Sequence, residues 1–270
     1  MKITQVETIR LGEFPNIIWT RLHTDEGLVG LGETFMGAAA VEAYLHEWVA
    51  PKLLGQDPLA IESRNRDITG YLGWRGSGVE TRGNSAIDIA LWDIFGKAAN
   101  MPVHTALGGK SRDSIRIYNT CAGYQYVRSA TNQTTANWGL GNKQGPYEDL
   151  EGFLNNAGEL AQSLLSEGIS AMKIWPFDMA AEKSHGQYIS NADLDAALVP
   201  FKKSAMLSAA RWTSWSSFTV CGACQWHKKL HALSSRSTPS GMKTRYAWTR
   251  WTCSNNTPGI AKPSSAPAKP

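Results

Sequence analysis

The stretch "NSAIDIALWDIFGKAA", Asn84 to Ala99, decides how the chain is read. Ala86, Ile87, Ala90, Leu91, Ile94, Phe95 and Ala98 recur at three- and four-residue spacing, which places them on one face of a helix. Ser85 with Asp88 has the form of a capping box at its start, and Asn100 and Pro102 close it. Upstream lies "IIWTRLHTDEGLVGLGETF", Ile17 to Phe35, where Asp25-Glu26-Gly27 separates two β-rich runs and predicts a hairpin. Ile3, Val6, Ile9 and Leu11 predict a strand before it, ended by a turn at 13–16. Gly27, Gly30 and Gly32 lack phosphate-loop spacing, and a hairpin is the wrong setting for one.

Downstream, the grammar changes. "SIRIYNTCAG", Ser114 to Gly123, predicts a buried strand, and a helix is predicted from about 148 to 166. Its stripe is Leu150, Phe153, Leu154, Ala157, Leu160, Ala161, Leu164 and Leu165, with Gly168 at its stop. "SAMKIWPFD", Ser170 to Asp178, is the next strand, and Ser190-Asn191 opens a helix carrying Leu194, Ala197, Leu198 and Phe201. Strand, helix, strand, helix implies a parallel sheet or barrel.

Composition divides the chain. From Phe201 onward there are eleven Lys and Arg and no Asp or Glu, a balance of +11. The first 200 residues hold all 23 acidic residues and 16 basic ones, a balance of −7. The tail also holds three of the four cysteines and five of the eleven tryptophans, and stretches such as "TRYAWTRWTC" (Thr244 to Cys253) follow neither period. No signal segment or membrane-spanning apolar run is read, and Cys121 stands alone before the tail, so a cytoplasmic location is expected.

Taken together, "TDEGLVGLGE", "AIDIALWDIFGKA", "MPVHTALGG" and the βα series resemble the mandelate racemase and muconate lactonizing group of the enolase superfamily over about residues 1–203. The resemblance implies an α+β capping domain (1–112), the first βα units of an incomplete (β/α)8 TIM-type barrel (113–203), and an irregular or disordered tail (204–270). It also implies abstraction of the proton α to a carboxylate, with Mg2+ stabilising the enediolate. The substrate would be a small carboxylate or sugar acid, and the parent enzyme a homo-oligomer. The family's base often lies in a Lys-x-Lys pair at the second barrel strand. Here Lys173 matches the first lysine and Trp175 replaces the second, which favours a sugar-acid dehydratase or cycloisomerase over a lysine-based racemase. Lys173 is the catalytic candidate; Trp19, Arg75, Arg82 and Trp175 are substrate-binding candidates. No metal ligand is assigned, and no Mg2+ is expected on this chain. His185 is left without a role.

A displaced reading frame accounts for the tail. Codons compatible with Thr244 to Trp251, read one base earlier, give D-P-I-R-M-D-S-L, and Met242-Lys243 forces a glutamate just before. Arg211 to Thr219 likewise permits P-M-D-I-M-V-E-F-H. These phrases suit the strands on which the family carries its metal carboxylates. The shift also makes Cys221, Cys224, His227 and His231 an accidental set, with too few residues between the pairs for a zinc finger. The alternative is a binding module whose basic, tryptophan-containing tail holds nucleic acid through phosphate contacts and base stacking. The tail's lack of any period weighs against it.

Overall fold

The computed structural model describes residues 1–71, 77–124, 126, 128, 134–141, 148–207, 213–216 and 245–246. The chain opens with an antiparallel sheet in the order β1 (Ile3–Ile9), β2 (Ile17–Thr24), β3 (Val29–Phe35). The Asp25-Glu26-Gly27 turn is closed by Thr24 N–H to Leu28 O, and Asp25 Oδ1 accepts the Lys2 amide at 2.7 Å, tying the hairpin to β1. Along β2, Ile18, Thr20, Leu22 and Thr24 face inward while the residues between them are half-exposed, the period expected of a sheet covered on one side. Ile3 and Val6 are both buried although three residues apart, because the register slips between Ile3 and Gln5. Ile9 is only partly covered and Leu11 is 48% exposed, so neither joins the core.

Helices α1 (Ala38–Tyr44), α2 (Ala50–Leu53), α3 (Ile61–Thr69) and α4 (Val79–Ala98) follow, with a π-helical turn at Leu45–Val49. Ile87, Leu91 and Ile94 on α4 join Ile18, Leu22, Val41, Leu45 and Ile68 in one core, each such side chain contributing about 1.5–3 kcal/mol. The helix begins six residues before Ser85, so the expected capping box lies in its interior. Asp88 instead accepts a hydrogen bond from Asn65 Nδ2 at 2.6 Å. The added turn is fixed by Tyr44, whose hydroxyl donates to Asn84, and by Arg82, whose Nη1 donates to Phe35 O at 2.8 Å. Phe95 is half-buried and Ala98 exposed, at the helix end closed by the left-handed Asn100 (φ 49°). The glycines of β3 now have a reason. A Cβ on Gly30 would lie 2.2 Å from Ala90 O, and one on Gly32 would lie 1.9 Å from Ala86 O. The strand and helix backbones touch, and only glycine leaves room.

After the short α5 (Val103–Ala106), a second sheet runs parallel in chain order: β4 (Asn119–Thr120), β5 (Ala171–Ile174), β6 (Thr213–Ser216), β7 (Arg245–Tyr246). Two expectations are corrected here. The strand predicted over Ser114–Gly123 shrinks to two residues, and Ile115, Ile117 and Tyr118 are 71%, 61% and 45% exposed, because β4 lies at the sheet edge. The single helix predicted over 148–166 is two, α6 (Asp149–Asn155) and α7 (Ala157–Ser166), broken where Asn156 leaves helical geometry at φ −130°, ψ 44°. The break folds Leu160 against Gly152, while Leu150, Phe153, Ala161 and Leu164 pack on Met172 and Ile174 of β5. Helix α8 (Asp178–Lys183) follows β5. Helix α9 (Asn191–Leu207) is capped by Ser190, whose Oγ accepts the Asp193 amide at 3.0 Å; it runs past Lys203, with Lys203 Nζ donating to Asn155 O. Within the tail, β6 and β7 are short strands of four and two residues; its other residues beyond 207 lie outside those described.

Two measurements test this packing. Gly32→Ala should cost about 2–3 kcal/mol, because the new methyl meets backbone that cannot step aside, while Gly12→Ala, with open space around it, should stay within about 0.5 kcal/mol. Equal urea midpoints for the two would contradict the contact. Cys121, buried beside β4, has its thiol pushed up from 9.0 to about 12 by burial, with the Asp149 charge adding to it. Its stabilising preference for the neutral thiol is therefore whole below 9 and lost as pH rises towards 12. In peptide mass spectra after iodoacetamide at about pH 8, Cys121 should stay unlabelled in the native chain and become labelled in denaturant.

Candidate functional site

The chemistry-bearing residues collect at the C-terminal end of β5. Lys173 pairs in register with Thr120 on one side and Trp215 on the other, and its carbonyl accepts the Cys121 amide at 3.3 Å, carrying the ladder one residue past β4. Trp175 follows the strand, and Lys173 Nζ lies 5.8 Å from its ring centroid, so the two share a face as alternation requires. Lys173 is half-buried, whereas Trp175 is 4% exposed. Tyr126, Trp138 and Phe153 surround that indole at centroid distances of 5.7, 6.3 and 5.6 Å. Its Nε1 has no hydrogen-bond acceptor among the described residues. Trp175 is thus a packed core residue with a spare donor.

Neighbouring elements hold this cluster. The Thr135 amide and hydroxyl both donate to Glu182 on α8, which fixes the 3-10 turn Thr135–Trp138 and sets Trp138 edge-on to Trp175. Those two hydrogen bonds, the hydroxyl's first, hold the Glu182 carboxyl below its usual range. Burial raises the Tyr126 phenol above its ordinary value, and the negative charge of buried Asp178 raises it further.

The segment after β4 also reaches the first sheet. Arg128 Nη1 pairs with Glu13 Oε1 at 2.6 Å, and the guanidinium carbon lies 4.8 Å from the Phe14 ring centroid and 4.3 Å from that of Tyr124. Phe14 in turn packs edge-on to Trp19 of β2 at 6.4 Å. Contacts therefore run from Trp19 through Phe14 to Arg128 and Tyr124, and two residues along the chain Tyr126 meets Trp175. Trp19 and Trp175, far apart in sequence, each belong to a cluster of contacts, and the two clusters are joined along the chain between Tyr124 and Tyr126.

Arg82 does different work. Its two terminal nitrogens donate to Phe35 O and Met36 Sδ, pinning the end of β3 against α4. Arg75 lies outside the described residues, as do Cys221, Cys224, His227 and His231. His185 is exposed, in a left-handed turn (φ 50°) after α8. Sequence reasoning missed Glu13, Tyr124, Tyr126, Arg128 and Asp178. The available signal was "GYQYVR", where aromatic, aromatic and cation alternate directly after a strand of a parallel sheet, the end at which such folds build sites. Two grooves of about 400 and 600 Å3 lie elsewhere, along α4 and α5, lined by Asp93, Lys97 and Met101 and by Leu31, Ile89, Trp92 and Leu107. They contain no residue of the parallel sheet. Among the described residues, no helix is long and apolar enough to cross a membrane.

Residues 12–108 match the model of the mandelate racemase/muconate lactonizing enzyme N-terminal domain. The chain is 39% identical over 125 residues to a D-mannonate dehydratase of Novosphingobium aromaticivorans, covering 46% of this chain and 31% of that protein. It is 42% identical over 125 residues to a D-galactonate dehydratase of Verminephrobacter eiseniae, covering 46% and 32%. It thus spans about a third of the length of the curated relatives it matches. Among solved structures, an enolase of the mandelate racemase subgroup from Agrobacterium tumefaciens superposes with a TM-score of 0.71 at 46% identity, over 87% of this chain and 56% of that one. An enolase protein from Sargasso Sea environmental sequence gives 0.71 at 38% identity, over 87% and 55%. Residues 12–108 thus match the N-terminal domain of the mandelate racemase/muconate lactonizing enzyme group, and the first sheet, helices and parallel βα units together superpose on a solved enolase of the mandelate racemase subgroup.

Proposed function

We propose that residues 1–112 and 113–203 are the capping region and first barrel units of a sugar-acid dehydratase, and that residues 204–270 are read in a displaced frame. The observation that carries this is Lys173, on the second strand of a parallel sheet laid down in chain order, beside a cluster that the chain joins to contacts on the first sheet. In the complete barrel, Lys173 Nζ exchanges a proton with the substrate or holds its carboxylate. Trp19, Arg75, Arg82 and Trp175 shape the substrate's surroundings, Trp175 from within the packed wall and Arg82 by holding the end of β3. The names of the relatives, dehydratases of D-mannonate and D-galactonate, support a sugar acid as substrate.

A divalent cation would supply the charge that stabilises an enediolate, and hard cations are held by carboxylate oxygens. The residues present do not fit one. β6 reads Thr-Ser-Trp-Ser and β7 Arg-Tyr, on the strands where the family implies carboxylates, and no Asp or Glu follows Asp195. The displaced frame supplies what is lacking. The codons of Arg211–Thr219 and of the run before Tyr246 permit Asp- and Glu-containing strand phrases at the positions of β6 and β7.

This chain should therefore show no Mg2+-dependent exchange of the α-proton of D-galactonate or D-mannonate in deuterated water, followed by NMR. Exchange that Lys173→Ala abolishes would overturn the reading. Restoring one base near Lys203 should open a frame running well past residue 270 and give a dehydratase in which Lys173→Ala lowers kcat by about a hundredfold or more. A stop codon soon after the repair would refute the displaced frame.

A further inference from the structure

The rings that enclose Trp175 have unlike supports. Phe153 belongs to α6 and is fully buried in the core that packs on β5. Trp138 is 5% exposed, yet it is carried by a four-residue 3-10 turn, Thr135–Trp138. That turn is fastened to the exposed Glu182 of α8, whose Oε2 accepts both the Thr135 amide, at 2.9 Å, and the Thr135 hydroxyl. Two left-handed glycines, Gly139 (φ 72°) and Gly141 (φ 84°), follow it, positions where a backbone bends without a Cβ penalty. The Trp175 Nε1–H that these rings bury has no acceptor among the described residues. An indole can only donate, so the enclosed form forfeits the hydrogen bond that water would supply. Packing alone gives no use for that donor.

We propose that the Thr135–Trp138 turn is a cover over the C-terminal end of β5, latched by Glu182 and hinged at Gly139 and Gly141. When it lifts, Trp138 leaves Trp175 while Phe153 and Tyr126 keep their contacts with the indole. The idle N–H then becomes available to an acceptor arriving beside Lys173, whose Nζ lies 5.8 Å from the same ring. The aromatic contact of Trp138 opposes opening, so the closed form dominates and the latch sets how rarely it opens. The purpose of the cover, to regulate the site at Lys173, rests on the function proposed above; its motion rests on the geometry of the turn.

Hydrogen exchange of the Trp175 indole, followed by NMR in the 15N-labelled chain and assigned through Trp175→Phe, measures the opening. Exchange requires the N–H to reach water, so its rate reads the availability of the donor. Two other groups report on unfolding: the Trp48 indole, which donates to Ile68 O in the first core, and the Ala161 amide, inside α7 in the same core as Trp175. Glu182→Ala should speed exchange at the Trp175 indole about 5- to 30-fold, the effect of losing partly exposed hydrogen bonds to a charged acceptor, and leave the other two rates within about twofold. Thr135→Val, which removes the hydroxyl bond and keeps the amide one, should give a smaller rise. An unchanged Trp175 rate in Glu182→Ala overturns the proposal, as does a rise that Ala161 matches, because the whole core would then be loosening. If Glu182→Ala does not fold, the same comparison of rates in Thr135→Val decides. Exchange in this chain and turnover in the frame-repaired protein are separate measurements, so either proposal can fail without the other.

Discussion

The contact between β3 and α4 governs the first hundred residues. Gly30 and Gly32 bring the strand backbone against Ala90 and Ala86 of the helix at distances that exclude any Cβ. That approach is closer than packing between two side-chain layers allows, so it fixes the depth and register of α4 on the sheet. Three consequences follow along the helix. Ile87, Leu91 and Ile94 drop fully into the core; Asp93 reaches the Leu31 amide at 2.8 Å; Lys97 reaches Val29 O at 2.6 Å. On the strand, Arg82 grips the far end at Phe35. One helix thus holds β3 at three points along its length, and the hairpin turn holds β2 to β3.

That anchoring matters for the site because β2 carries Trp19, and the turn before it carries Glu13 and Phe14. Their position against Arg128 depends on a rigid first sheet. On the other side, Trp175 depends on Phe153 of α6, on Trp138 of the turn held by Glu182, and on Tyr126. These clusters join two separately built cores through the aromatic and charged contacts of Arg128 and the chain between Tyr124 and Tyr126. Exposed ion pairs of this kind contribute little to stability, typically below about 1 kcal/mol. What they fix is position.

The parts legible in the sequence were those written in a period. The α4 stripe, the hairpin, the strand at Lys173 and the capped α9 all follow from spacing and capping chemistry. Boundaries failed where tertiary contacts overrode local signals. The first turn of α4 exists because Tyr44 and Phe35 receive it, and the break at Asn156 because α7 folds back on α6. Glycines at 30 and 32 were read only as a failed phosphate loop, since close approach to a helix sixty residues away leaves no local mark. Arg128 was missed for the same reason: its partner Glu13 is 115 residues distant.

The parallel sheet poses the last question. A strand with neighbours on both edges in a parallel sheet is normally covered on both faces and rich in Val, Ile and Leu. β5 obeys this, with Ala171, Met172 and Ile174 buried. β6, lying between β5 and β7, reads Thr-Ser-Trp-Ser, two small hydroxyl residues and a threonine around one indole. Serine disfavours strands and contributes almost no apolar area, so the local sequence does not account for a central strand there. The displaced frame would put aspartate, isoleucine, methionine, valine and glutamate over the same stretch, a strand with an apolar body and a carboxylate towards its end. Under the proposed displaced frame, the mismatch between where the strand lies and what its residues favour, and the lack of Asp or Glu on β6, would share one origin. One lost base would produce both, whereas a basic tail selected for its own purpose would account for neither.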